Sequence, residues 1–446
     1  MEHNRRCWTL GAVLLVVIMG SSALTRGAWA QSHYENLHTF KVGANGYFPE
    51  SALVMDQAGN LYGTTADGGG SLNCGNQGCG TVFELTPGAN GKWTEELLHS
   101  FNSNDGEWPQ ASLIFDQAGN LYGTTYAGGA HGAGTVFQLT PKSDGTWTES
   151  VLYAFCSSII RAQCADGSSP LDSVTFDQAG NLYGTTAAGG SNSCSGLGCG
   201  MVFKLTPNSD GTWTENLLYS FCSQEGCRDG RDPESAGVTF DQAGNLYGTT
   251  RLGGNLQCEF GCGVAFRLSP NADGSWTENV LHVFCSSSAC RDGADPNARL
   301  IIDRSGNLYG TTDTGGNVQC GCGVAFRLTS NADGSWKEEV LHTFNLGGRR
   351  DGKYPVAFLT FDQAGNLYGT TAAGGSNSCS GLGCGMVFKL TPNSDGGWHE
   401  TILHVFQDHP GAKPEGGVIF DALGNLYGTT IGDGQTTFGS VFEITP

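Results

Sequence analysis

The motif Asp-x-x-Gly-Asn-Leu-Tyr-Gly-Thr-Thr occurs seven times, beginning at Asp56, Asp116, Asp177, Asp241, Asp303, Asp362 and Asp421. Each copy closes a short segment at the Asp, turns through Gly-Asn, and opens a segment rich in Leu, Tyr and Thr, which is the pattern of a tight hairpin between strands. Successive copies lie about sixty residues apart, room for one small antiparallel sheet and too little for a domain that folds alone. The units must therefore bury their faces on one another.

The second unit shows the strand pattern. Ser112–Asp116 reads as a first strand, Asn120–Thr125 as a second, Thr135–Thr140 as a third and Trp147–Phe155 as a fourth, with an Asp144-Gly145 turn before the last. Four strands per unit predict a propeller blade. The seventh unit ends after its third strand, while Glu35–Phe40 matches the end of a fourth strand such as Asn279–Phe284. The fold expected is an all-β, seven-bladed β-propeller of four-stranded antiparallel blades, closed by the N-terminal strand completing the last blade. An open solenoid would leave both end units incomplete.

Residues 1–30 read as a signal peptide: Arg5 and Arg6 precede the apolar run Leu10–Met19, and Ala28-Trp29-Ala30 offers a cleavage site. Residues 31–446 form the single propeller domain, with no membrane span expected after signal removal. The whole chain carries −20, and loss of Glu2, Arg5, Arg6 and Arg26 leaves about −22. Such a surface repels phosphate backbones and anionic lipid, which argues against nucleic acid as a partner. A secreted or periplasmic monomer is expected.

Sixteen of the seventeen cysteines follow the signal and fall into eight close pairs. They are Cys74/Cys79, Cys156/Cys164, Cys194/Cys199, Cys222/Cys227, Cys258/Cys262, Cys285/Cys290, Cys320/Cys322 and Cys379/Cys384. Repeats lacking one member of a pair lack the other, which is what disulfides in an oxidising compartment require. The rival reading is metal, since repeats three to five each hold two pairs that could supply four thiolates. Cys320 and Cys322 are separated by one residue, so a partner at Cys285 or Cys290 is an alternative.

Leu-Tyr-Gly-Thr-Thr followed by Gly-Gly, and then Gly-x-Val-Phe-x-Leu-Thr-Pro, resembles the GloVer tandem repeat of exported bacterial proteins with varied surface anchors. The resemblance implies an exported, propeller-like protein and brings no catalytic residues. The chain stops at Pro446 without the hydrophobic tail or basic end of the anchored pattern, so a soluble form is expected.

Antiparallel strands send the first-to-second and third-to-fourth turns to one face, and the remaining loops to the other. That second face carries every cysteine pair and every length variation, and any site is expected there. Five of its blade-to-blade loops hold Asp-Gly-x-x-Pro, at Asp105, Asp166, Asp229, Asp292 and Asp351. If these loops descend to the channel mouth, five carboxylates form a ring suited to Ca²⁺ or a polyhydroxylated ligand. The other reading is a capped turn, with Asp bonding its own backbone. Arg228, Arg291 and Arg350 precede three of these aspartates and could pair with them.

Trp108, Tyr354 and Phe260 offer stacking surfaces near the carboxylates, and Phe438 offers another in a loop that differs between units. His38, His99, His282, His342 and His404 share one strand position with Tyr153 and Tyr219, so packing with one hydrogen bond is expected rather than metal binding. No unique nucleophile with a base stands out, and Thr175–Gly211 is identical to Thr360–Gly396, as scaffold would be.

The function expected is a non-catalytic binding module or scaffold recognising a glycan or protein through the loop face. The alternative is a propeller lyase or hydrolase, with His131 and His409 as the histidines that break the repeat. A third reading, a structural ring without a small ligand, predicts a narrow, plugged channel.

Overall fold

The computed structural model describes residues 32–446 except 72, 161–162, 191–193, 195–196, 235–236, 256, 259–260, 318, 346–350, 410 and 433–436. The expected leader, Phe260 and Arg350 therefore lie outside the described residues.

Seven four-stranded antiparallel sheets form the blades of a propeller. In the second blade the strands are Ile114–Phe115, Leu121–Thr125, Thr135–Pro141 and Trp147–Ala154. The first strand is shorter than its sequence suggests. Residues just ahead of Ile114 bond to the preceding blade instead of their own ladder: the Ala111 carbonyl accepts the Thr64 hydroxyl at 3.1 Å, and the Ser112 hydroxyl accepts the Ala52 N–H at 3.1 Å.

The same Thr-to-carbonyl bond recurs around the axis, and Thr429 makes it to Ser51 at 2.7 Å, joining last blade to first. On the outside of that join, His33–Thr39 pairs antiparallel with Ser440–Thr445, so the N-terminal strand completes the last blade. The ring is sealed by a clasp that leaves no unpaired edge between its ends.

Blade-to-blade packing repeats one set of contacts. A phenylalanine ending each fourth strand meets a third-strand phenylalanine of the next blade edge-on, as Phe101 meets Phe137 at 5.0 Å and Phe40 meets Phe83 at 5.1 Å. Both rings of each pair are almost fully buried. The invariant Gly of Leu-Tyr-Gly-Thr-Thr makes room for them, since a Cβ on Gly63 would lie 2.6 Å from Phe83 Cζ. The tryptophans that open fourth strands and the repeat tyrosines also pack between blades, with Trp147 and Tyr62 at 6.2 Å.

The Asp that opens each motif organises its turn. Asp56 Oδ1 accepts the N–H groups of Ala58 and Asn60 at 2.8 and 2.9 Å, while Oδ2 accepts the Asn60 amide at 2.9 Å and the Tyr62 hydroxyl at 3.1 Å. Asp, Gly, Asn and Tyr are thus one hydrogen-bonded unit, which explains why they recur together.

All eight predicted cysteine pairs are disulfides: Cys74–Cys79, Cys156–Cys164, Cys194–Cys199, Cys222–Cys227, Cys258–Cys262, Cys285–Cys290, Cys320–Cys322 and Cys379–Cys384. Bridging within each pair overturns both alternatives, a cross-link from Cys320 or Cys322 to Cys285 or Cys290 and a cage of free thiolates. The four sulfurs of Cys258, Cys262, Cys285 and Cys290 do gather within 4.8 Å, but as two bridges. Cys194, Cys199 and Cys222 gather likewise, again across neighbouring repeats rather than within one as the metal reading required, with Cys194 bonded to Cys199 and Cys222 to Cys227. Cys164 belongs to neither cluster and is bonded to Cys156.

The sequence places every cysteine pair in plain loop, and here the structure differs. Cys164 lies in a two-residue strand, Gln163–Cys164, paired with Ile159–Ile160 as a small hairpin of its own. Cys227 closes the 3₁₀ turn Glu225–Cys227, and Cys290 closes Ser288–Cys290 in the same way. Both elements aim carbonyls at glycines. The Cys164 carbonyl accepts the Gly167 and Gly190 N–H groups at 3.2 and 2.9 Å, and that of Cys227 accepts Gly230 and Gly254 at 3.0 and 2.9 Å. Such bonds join the blade-to-blade loop to the neighbouring Gly-Gly loop, a long-range pairing that no local pattern encodes. Among the described residues, no helix is long and apolar enough to cross a membrane.

Candidate functional site

Each fourth strand carries a β-bulge at the leucine before the His/Tyr position. Val82 pairs with His99 and Phe83 with Leu97, so Leu98 is the extra residue. The bulge breaks the strand alternation and sets the His or Tyr against the loop leading to the next blade.

There it meets the Asp-Gly aspartate. Tyr153 and Tyr219 donate to Asp166 and Asp229 at 2.7 Å, and His99, His282 and His342 stand 3.3–3.4 Å from Asp105, Asp292 and Asp351. Backbone donors complete these contacts: Ser157 N–H to Asp166 at 2.8 Å, Ser223 N–H to Asp229 at 2.7 Å, Ser286 N–H to Asp292 at 2.8 Å and Asn102 N–H to Asp105 at 2.8 Å. Four of the five aspartates are therefore engaged in capped turns within their own loops, while Asp351 accepts the N–H of the adjacent Gly352 at 2.7 Å. Among the described residues, Arg228 and Arg291 form no ion pair with them. Where the Asp is missing, the pattern adapts: His38 stands 3.5 Å from Glu95, and His404 stacks on Tyr34 at 4.0 Å.

The variable positions lie a few residues further on, around the proline. The residue before it is Phe48, Trp108, Ser169, Asp232, Asp295, Tyr354 or Lys413, and all seven adopt left-handed backbone with φ between 55° and 60°. Such a conformation costs a non-glycine residue on the order of 1–3 kcal/mol and persists only where its surroundings fix it. Here two hydrogen bonds do so. Trp108 N–H donates to the Cys79 carbonyl at 3.0 Å, and the Trp108 carbonyl accepts the Tyr126 N–H at 3.1 Å. The equivalent N–H groups of Asp232, Asp295, Tyr354 and Lys413 reach Cys199, Cys262, Cys322 and Cys384. In five blades the acceptor is thus the second cysteine of a disulfide. The bridges brace the rim that shapes the mouth.

Three changing positions around this rim create a notch over the third blade. Trp108 and Tyr126, with ring centroids 6.1 Å apart and planes tilted by 36°, project from the second blade. The third offers only Ser169 and Ala187. The fourth presents Asp232, Glu234 and Arg251, with Arg251 Nη2 3.3 Å from Asp232 and Nε 3.0 Å from Glu234. Small residues between large ones leave a groove of about 490 Å³ lined by Tyr126, Ser168, Ser169, Ala188, Arg231, Asp232 and Glu234. That volume falls in the range of about 300–1,000 Å³ usual for small-molecule sites.

Carboxylates do gather near the axis, but not those of Asp-Gly. Glu50 is pushed up to about 7, first by burial and then by the charge of Glu415. Asp313 is pushed up to about 6 by burial and by Asp295. Burial also raises Asp67 and Glu415. The signal for these residues in the sequence is their variation between otherwise repeated units, at positions flanking the proline and following Thr-Thr.

The axial channel beneath is narrow. It encloses about 160 Å³, with Glu50, Gln110, Asp172, Arg299 and Phe358 in its wall. Arg299 crosses it, donating to the Ser173 hydroxyl of the third blade at 3.2 Å while lying 4.8 Å from the centre of the Phe358 ring. A narrow channel crossed by a side chain is the outcome the reading of a structural ring without a small ligand predicts, and a binding reading has only the rim left for a sizeable ligand. Tyr354 is half-buried on the sixth blade, Phe438 packs on Tyr47 at 5.9 Å beside the first, and His131 and His409 are exposed.

The fold and rim define a disulfide-braced seven-bladed propeller with a rigid scaffold and a varied loop face. Its sequence matches the Gloeobacter/Verrucomicrobia repeat over residues 20–197, 72–321, 156–382 and 260–446, and the chain belongs to that repeat family. No curated protein sequence matches it. Among solved structures, a protein of unknown function from Dyadobacter fermentans shares 11% identity at a TM-score of 0.42, covering 93% of this chain and 100% of its own. A fungal alcohol oxidase of the AA5 family, solved with copper, shares 13% identity at a TM-score of 0.52, covering 93% of this chain and 76% of its own. The latter likeness extends to the fold alone.

Proposed function

We propose that this is an exported, non-catalytic binding module that recognises a glycan at the rim groove over its third blade. The supporting observation is the groove itself, which has Tyr126 at one end, backed by the Trp108 ring, Ser168, Ser169 and Ala188 between, and Arg231, Asp232 and Glu234 at the other, with Arg251 paired to both carboxylates from behind. A pyranose ring stacks on an indole or phenol face through its C–H groups while carboxylate and guanidinium groups bond its hydroxyls. The narrow channel restricts recognition to the rim, and the eight disulfides fit an oxidising compartment.

A second reading, glycan cleavage, draws on Asp313. A carboxyl pushed up to about 6 beside the carboxylate of Asp295 has the character of a general acid. One experiment separates the two. The secreted protein is incubated with a panel of soluble and insoluble polysaccharides, and retained protein and released oligosaccharides are read in the same tubes. Retention without products is expected. Product release supports cleavage, and neither outcome on any polysaccharide removes the glycan reading.

A further inference from the structure

The blade interfaces hold a second kind of chemistry. At the junction of first and second blades, His99 from one fourth strand, Asp105 from the connecting loop and Glu149 from the next fourth strand bring three ligand atoms within 4.8 Å of one another. The junction of fifth and sixth blades repeats the set with His342, Asp351 and Glu400. We propose that each trio holds a divalent first-row transition-metal ion of the zinc class.

The donor set suits such an ion. One imidazole and two carboxylates bind Zn²⁺ and its neighbours readily, whereas Ca²⁺ prefers six or more oxygens. The spacing suits it too. His99 Nε2 lies 3.3 Å from Asp105 Oδ2, and His342 Nε2 lies 3.4 Å from Asp351 and 3.6 Å from Glu400. These separations are long for a charge-assisted hydrogen bond and close to the edge of about 3.3–3.4 Å in a tetrahedron with bonds of 2.0–2.1 Å.

Two further observations point into the same space. His99 Nε2, Glu149 Oε1 and Glu400 Oε1 are buried atoms without a hydrogen-bond partner. Oε1 of Glu215, Glu278 and Glu338 and Nε2 of His282 share that state, and what sets the two trios apart is that, among the described residues at these interfaces, only there do three ligand atoms gather. The two trios also arise from connecting loops of different length, with Asp105 six residues after His99 and Asp351 nine after His342. An entry path exists, since the His99 and Asp105 side chains are 19% and 15% exposed.

The other interfaces lack the set. Tyr153 and Tyr219 replace imidazole with a phenol that donates to the aspartate. At His282, the oxygens of Asp292 already accept Ser286 and Ser287 N–H and hydroxyl groups, two donors each. Two ions per chain follow, not five.

The test is a Zn²⁺ titration of the full secreted protein after chelator treatment, with bound metal counted per chain and Co²⁺ absorption recorded in parallel. Two equivalents are expected. Glu149→Gln and Glu400→Gln should each remove one, and Glu338→Gln, beside Asp292 at the His282 interface, none. Absence of binding, retention of both equivalents by the double variant, or Ca²⁺ bound in preference to Zn²⁺ overturns the proposal. Should a variant fail to fold, the Co²⁺ spectrum of the unaltered chain decides: strong visible bands of a four-coordinate site support it, and the weak bands of six-coordinate Co²⁺ overturn it.

Discussion

The N–H of Trp108 donates to the carbonyl of Cys79 at 3.0 Å, so the disulfide loop of the first blade holds the rim residue of the second. A covalent staple in one unit thereby anchors the carbonyl that holds a left-handed backbone in its neighbour, a bond that Ser169 and Phe48 make to Ala133 and Phe438 without a disulfide.

Replacing both Cys74 and Cys79 with Ser tests this coupling. The bridge closes a very short loop, for which chain entropy predicts a loss of about 2 kcal/mol. Denaturant unfolding should show that loss, and hydrogen exchange should show weakened protection of the Trp108 amide in the next blade. A stability loss with undiminished Trp108 protection would disconnect the staple from the rim.

Gly63→Ala should be far more costly than its chemistry suggests. The added methyl would lie 2.6 Å from Phe83 Cζ and 2.9 Å from Leu53 Cδ2, both in packed core, so the cost expected is about 1–3 kcal/mol. A thermal melt of this variant beside Gly91→Ala, where no atom lies within 4 Å, checks it. Gly91 has φ 75°, so its cost is strain in the backbone alone. Equal shifts would remove the packing explanation.

The repeat made the blades and their closure readable in the sequence because hairpin chemistry is local and recurs seven times. The paired cysteines were readable for the same reason, though not the hairpin around Cys164 or the turn ending at Cys227, whose carbonyls bond glycines of another loop. The first strand was overextended because Ala111 and Ser112 bond across to the neighbouring blade, which no local pattern records. The aspartates of Asp-Gly could be read as ring or turn. What settles their geometry is a partner on the preceding strand, such as Tyr219 for Asp229, brought close by a bulge. The rim groove depends on side-chain size compared across three blades, so Ser169 and Ala187 carry meaning only beside Trp108 and Asp232.

Acidic pH should stabilise the ring. Glu149, Glu215, Glu278, Glu338 and Glu400 are each pushed up to about 7, chiefly by burial at blade interfaces, from an ordinary 4.5. Asp105, Asp166, Asp229, Asp292 and Asp351 face them, together with His99, Tyr153, Tyr219, His282 and His342. Between those pH values the unfolded chain is ionised and the folded chain protonated, so stability falls as pH rises from about 4.5 to 7 and then levels. The turn aspartates Asp116, Asp177, Asp241, Asp303 and Asp362 are lowered by their hydrogen bonds despite burial. Their contribution is lost as pH drops below the ordinary carboxylate value. Melting temperature should therefore peak near pH 4–5 in metal-free buffer, and Glu215→Gln, at an interface without histidine, should flatten the neutral limb. A maximum at pH 8 contradicts the assignment.

Trp108→Gly separates recognition from folding. The substitution removes the ring that lies 6.1 Å from Tyr126, the aromatic residue of the groove wall, and with it the support of that stacking surface. It also relieves a left-handed backbone, φ 56°, that glycine adopts freely. Relief of about 1–2 kcal/mol offsets much of the lost ring contact, so the melting temperature should change little. Retention on whichever polysaccharide holds the unaltered protein should fall at least about tenfold, the scale of one lost aromatic anchor. Tyr354→Gly provides the control, because it makes the same backbone change on the sixth blade, where φ is 59°. Equal loss from both variants would place the binding surface around the whole rim, whereas loss from Trp108→Gly alone locates it over the third blade.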